Sequence, residues 1–142
     1  MIMQKYLRQK ETKMRLLFLF SFCSVLFFAA CNNYGTKRQY GNIELYYTNE
    51  VTLSEANNLA NYLIKLGFED SNERKTVQLV KSGKTYQVRM VVKQGIEQDA
   101  EYQAVLKLFA TKLSEDVFNG ANVEVHACDS KLKTLRVFVM RY

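Results

Sequence analysis

Residues 42–67, NIELYYTNEVTLSEANNLANYLIKLG, decide the fold class, because the apolar period switches within them from that of a strand to that of a helix. Ile43, Leu45 and Tyr47 alternate with Asn42, Glu44, Tyr46 and Thr48, which predicts a half-buried strand. Thr52 and Glu55 then have the spacing of a capping box, in which each side chain satisfies the other's exposed backbone N–H. Behind them Ala56, Leu59, Ala60, Leu63 and Ile64 fall on one helical face, and Gly67 supplies the left-handed residue that stops the helix.

Working outward toward the carboxyl end, Val77 and Leu79 mark a short strand and Ser82-Gly83 a turn. The next strand has Tyr86, Val88, Met90 and Val92 alternating with Gln87, Arg89 and Val91, so the two make a hairpin. Asp99 is placed to cap a second helix, with Tyr102, Val105, Leu106, Phe109, Leu113 and Val117 as its inward face and Asn119-Gly120 as its stop. Two strands follow, with Val123, Val125 and Ala127 inward on one and Leu135, Val137 and Val139 inward on the other. Residues 42–142 therefore read as a single α+β domain. The element order resembles a two-layer, ferredoxin-like split β-α-β arrangement with a strand added at the carboxyl end. With right-handed crossovers this resemblance implies an all-antiparallel sheet in the order 5-4-1-3-2, both helices on one face and the other face open.

Toward the amino end, residues 32–41 are polar, contain two glycines and show no apolar period, which predicts a flexible tether of up to about 35 Å. Before it, Lys5, Arg8, Lys10, Lys13 and Arg15 precede a charge-free apolar run from Leu16 to Ala30, the pattern of a secretory signal over residues 1–30. That run is short of the ~20 residues needed to span a bilayer as a helix, which favours a cleaved signal over a permanent span. Phe28-Ala29-Ala30-Cys31 resembles the lipobox of bacterial lipoprotein precursors, with Phe28 where that family usually has Leu. The resemblance implies acylation of Cys31, with palmitate-type chains, and attachment to a membrane of the cell envelope. Asn32 and Asn33 stand where an acidic residue would retain an enterobacterial lipoprotein in the inner membrane, so the same resemblance implies the outer membrane, facing the periplasm, over the inner one. Translation can start at Met1 or Met14, since Arg15 keeps a charge ahead of the apolar run.

The formal net charge of +6 is mostly contributed by residues 1–30, so the remaining chain is nearly balanced. No concentrated basic stripe is left, which argues against a nucleic-acid partner, as do the few aromatics available beside Tyr46 and Arg89 for base stacking. The chain has three cysteines and one histidine. With Cys23 in the signal and Cys31 acylated, Cys128 has no partner for an internal disulfide, and burial is the ordinary fate of such a thiol. Glu124, His126 and Cys128 alternate on one strand and are all metal-ligand types, yet neighbours on a strand face lie ~7 Å apart and the outer pair about twice that. No metal or other cofactor is expected from them. There is no glycine-rich phosphate loop, no Cys-x-x-Cys pair and no second histidine to act as a base, so the reading is non-enzymatic. The alternative is a metal- or thiol-dependent activity centred on His126 and Cys128. The open sheet face is expected to gather Tyr46, Arg89, His126, Arg136 and Phe138, a mixture enriched in protein interfaces, so a protein partner or a second copy of the chain is the expected ligand.

Overall fold

The computed structural model describes residues 33–139. The expected signal, the lipobox and Cys31 lie outside the described residues. The chain runs β1 (Thr36–Tyr40), β2 (Ile43–Tyr47), α1 (Leu53–Lys65), β3 (Lys75–Ser82), β4 (Thr85–Val91), a 3-10 turn (Ile96–Gln98), α2 (Ala100–Asp116), β5 (Asn122–Cys128) and β6 (Thr134–Val139). This is an α+β architecture in which a six-stranded sheet has the order β1-β2-β3-β4-β5-β6.

The helix boundaries follow from the caps. Thr52 and Glu55 form the reciprocal capping box, and Asp99 Oδ1 accepts from the backbone N–H of Glu101 and Tyr102. At the end of α1 the Gly67 N–H bonds Ile64 O and the Phe68 N–H bonds Leu63 O, a Schellman closure made possible by φ +81° at Gly67. The Glu55 carboxylate also leaves its helix. One oxygen accepts from Lys81 Nζ at 2.8 Å and from the Tyr86 hydroxyl, so the start of α1 is clamped to the β3–β4 hairpin. Burial pushes this carboxyl up, but the hydrogen bonds from Lys81, Tyr86 and Thr52 together outweigh it and hold the group at about 2. The Tyr86 ring stacks on Phe118 just beyond α2, with centroids 4.1 Å apart.

The core lies on one face of the sheet. Ile43, Leu45, Val77, Leu79, Val88, Val125 and Phe138 are buried against Ala56, Leu59 and Leu63 of α1 and Leu106, Ala110 and Leu113 of α2. The helices also meet each other, through the Tyr62 hydroxyl on Asp116 at 3.1 Å and the stacked rings of Phe68 and Phe109.

The strand order differs from the antiparallel, ferredoxin-like 5-4-1-3-2 expectation. The sheet is mixed, with β2 parallel to β3, β4 parallel to β5 and the remaining neighbours antiparallel. The cause starts at residues 36–40, expected as tether, which instead pair as β1 with one edge of β2. That edge is then closed to other strands, and β3 takes the opposite edge of β2 directly. β1 carries no apolar period because it is an exposed edge, held by the ladder, by the Lys37–Glu44 ion pair and by the Tyr40 hydroxyl on Asn57 at 2.5 Å. A topological consequence follows. The two parallel pairs point in opposite directions, step the same way across the sheet and carry their helices on the same face, so their crossovers have opposite hands. One of the two is left-handed, against the strong general preference for right-handed crossovers.

β6 also departs from expectation. Phe138 is 2% exposed and faces the helices, with Arg136 on the same side, whereas Leu135, Val137 and Val139 point away from the core and are 43%, 43% and 42% exposed. Alternation could not decide between the two settings, because the strand has apolar side chains at both parities. The larger ring gains most from the space beneath α2, and a register shift at Ala127/Cys128 sets which side it enters. On α2, Tyr102 and Val105 are exposed and Ala110 takes the central buried position.

Candidate functional site

The sheet face away from the helices carries one continuous row of side chains. Register places Lys37, Tyr46, Gln78, Arg89, His126 and Val137 opposite one another across all six strands. Tyr46, Arg89 and His126 are therefore brought together as the sequence indicates. Arg136 and Phe138 are not: both sit on the helical side, where the Arg136 guanidinium lies 5.8 Å from the Phe138 ring and bonds the Glu97 carbonyl at 3.4 Å.

The row is polar, yet its middle is covered. Gln78 and His126 are each 7% exposed. The cover comes from two directions and meets in the middle. Tyr34 lies edge-on to Tyr46 with ring centroids 5.7 Å apart, its carbonyl accepts from Gln78 Nε2 at 2.9 Å, and its hydroxyl donates to Lys131 O at 3.0 Å. From the other side the β5–β6 connection folds back so that Leu132, 4% exposed, presents its carbonyl to the Arg89 guanidinium at 2.5 Å. Leu132 has φ +58°, a left-handed conformation unusual for a branched residue, and Asp129 holds the turn by accepting from the N–H groups of Lys131 and Lys133. Gly35 makes the opposing bend. It has φ +94°, and a Cβ there would strike the Tyr47 carbonyl.

At the β1 end, Glu44 is 7% exposed and paired with Lys37, and Arg74 stands 3.7 Å away. The Lys37 contact holds the Glu44 carboxyl below its usual range. At the β5 end, Gln87 donates to Glu124 at 3.1 Å, Glu124 is 3.0 Å from His126 Nε2, and His126 Nδ1 is 3.1 Å from the Thr134 hydroxyl. Both imidazole nitrogens are therefore engaged, and neither has a lone pair directed at open space. Cys128 shares this face but is wholly buried, its Sγ against the His126 carbonyl at 3.5 Å, and burial pushes the thiol up, away from the thiolate form that nucleophiles and metal ligands require. Among the described residues no three His, Cys, Asp or Glu side chains converge as a metal site.

What the face leaves open is its β6 margin. Leu135, Val137 and Val139 form an aliphatic ridge there, beside a strand edge that has no neighbour among the described residues. Tyr34, Leu132 and this ridge are the parts that sequence reasoning missed. The Asp129-x-Lys131 turn chemistry was the one local sign that the connection would fold back.

No curated protein and no solved structure matches this chain. A family model described as a family N-terminal domain matches residues 37–138, from the second residue of β1 to the buried ring of β6. The match takes in both helices and all six strands but for Thr36 and Val139, and the chain belongs to that N-terminal-domain family.

Proposed function

We propose that this protein is a lipid-anchored component of the bacterial cell envelope, held through acylated Cys31 to the outer membrane on its periplasmic side, and that its α+β domain is a non-enzymatic module that binds a protein partner. The anchor rests on the apolar run from Leu16 to Ala30, whose last residues Phe28-Ala29-Ala30 stand directly before Cys31. Among the described residues no helix is long and apolar enough to cross a membrane. The binding reading rests on the ridge of Leu135, Val137 and Val139, which leaves apolar area and a strand edge unpaired among the described residues together at one margin of the helix-free face. In the polar row behind it, one Arg89 guanidinium nitrogen bonds the Leu132 carbonyl and both His126 ring nitrogens are engaged by Glu124 and Thr134, which ties β5 to the strand that carries the ridge.

Two measurements on the full chain test this. Mass spectrometry of the amino terminus recovered from membranes is expected to find acylated Cys31, and a full-length, unprocessed, freely soluble polypeptide overturns the anchor. Val137→Lys is expected to strip associated protein from the detergent-extracted chain while Arg38→Glu, on the opposite sheet edge, leaves it bound. Equal association in both variants overturns the binding reading.

A further inference from the structure

We infer that the β6 edge pairs with the β6 edge of a second copy of this chain, antiparallel and centred on Val137. The inference rests on the interaction-module reading and names its partner.

The two sheet edges are not equivalent. β1 carries Lys37 and Arg38 within five residues, and charge on an edge strand is a usual guard against pairing. β6, TLRVFV, has a single charge and no proline, its register shift is confined to the Thr134–Leu135 end, and its side with no neighbour among the described residues is flanked by exposed aliphatic side chains. Joining β6 to β1 of another copy would oppose cationic strands and extend without closing, whereas β6 against β6 closes under a two-fold axis.

Side-chain parity then selects the register. A two-fold normal to the sheet keeps each residue on its own face, so only registers centred on a residue are allowed, and of these only Arg136 and Val137 as centre pair five residues of Thr134–Val139. Centring on Arg136 sets two guanidinium groups directly opposite, a destabilising like-charge pair. Centring on Val137 sets Val137 against its copy and Leu135 against Val139 on the open face, and Arg136 against Phe138 on the helical face. Every cross-strand pair is then aliphatic, or is the arginine–ring pairing that Arg136 and Phe138 already make within one chain. The pairing also satisfies the backbone groups of the edge and continues the sheet from six strands to twelve.

The test is a single cysteine on the axis. Facing residues of an antiparallel pair have Cα atoms ~4.5–5.5 Å apart, within reach of a disulfide. Val137→Cys in the full chain, oxidised mildly in membranes and resolved without reductant, is expected to raise the dimer band roughly tenfold over the unsubstituted chain, while Arg38→Cys on the β1 edge leaves it unchanged. A dimer band no higher for Val137→Cys than for the unsubstituted chain, or equal bands for both cysteine variants, overturns the self-pairing. If Val137→Cys stays monomeric and Val137→Lys still strips a different protein, self-pairing fails and the module reading stands. If Val137→Lys strips nothing as well, both fall.

Discussion

Replacing Glu55 by Gln removes the charge that ties α1 to the β3–β4 hairpin while keeping the shape of the side chain and part of the capping box. The carboxyl is held at about 2 against an ordinary 4.5. At 1.36 kcal/mol per pH unit that depression corresponds to about 3 kcal/mol of stability, and since the Glu55 and Lys81 side chains are 20% and 29% exposed, solvent screening lowers the expectation to about 2 kcal/mol. The sign is fixed by the direction of the shift. A carboxyl lowered on folding contributes fully above its unfolded value and loses its contribution as pH falls through its folded value. The wild-type chain should therefore exceed Glu55→Gln by about 2 kcal/mol at pH 7, and the two stabilities should converge between about pH 4.5 and 2. Urea unfolding followed by far-ultraviolet circular dichroism at a series of pH values measures the difference directly, and titration of other carboxylates cancels between the two proteins. A difference that stays constant down to pH 2, or is negligible at pH 7, refutes the account of Glu55 as an ionic clamp.

Phe138→Ala should cost about 3 kcal/mol, because the ring is buried beneath α2, while Val137→Ala one residue away should cost under about 1 kcal/mol; equal losses in thermal unfolding would contradict the parity of β6. Cys128 should resist an aromatic disulfide reagent in the native protein and react on unfolding in urea, so rapid native labelling would contradict its burial. Tyr34→Phe deletes the bond to Lys131 O and should speed amide exchange at residues 131–133 while changing global stability by less than about 1 kcal/mol. Unchanged exchange there would mean that Tyr34 does not hold the connection down.

The two helices were legible in the sequence because their signals are local: a capping box at Thr52, an Asp cap at Asp99 and Gly67 at a C-terminus each act within a few residues. The inward parity of β2, β4 and β5 was legible for the same reason, since the alternation Val123, Val125, Ala127 states which face is buried. Alternation does not state which strand lies alongside. The order of the sheet depended on β1 occupying one edge of β2, and β1 has exposed side chains that leave no periodic trace. β6 failed for the opposite reason, having apolar residues at both parities, so that volume and a bulge decided what period could not. For the candidate site, the shared face of Tyr46, Arg89 and His126 followed from period alone. Its cover by Tyr34 and Leu132 did not, because each reaches the sheet through a positive-φ bend and bonds to residues 40 or more positions away.

If Cys31 is acylated as proposed, the pinning of Tyr34 changes how far from the bilayer the domain can sit. A free segment of ten residues would let it roam at about 35 Å, but Tyr34 is fastened to Gln78 and Lys131 and the strand begins at Thr36. Three peptide units separate Cys31 from Tyr34, so even fully extended they would reach no more than ~10 Å, close to one Debye length in physiological salt. A domain fastened that early in its chain would be held beside its anchor instead of roaming from it.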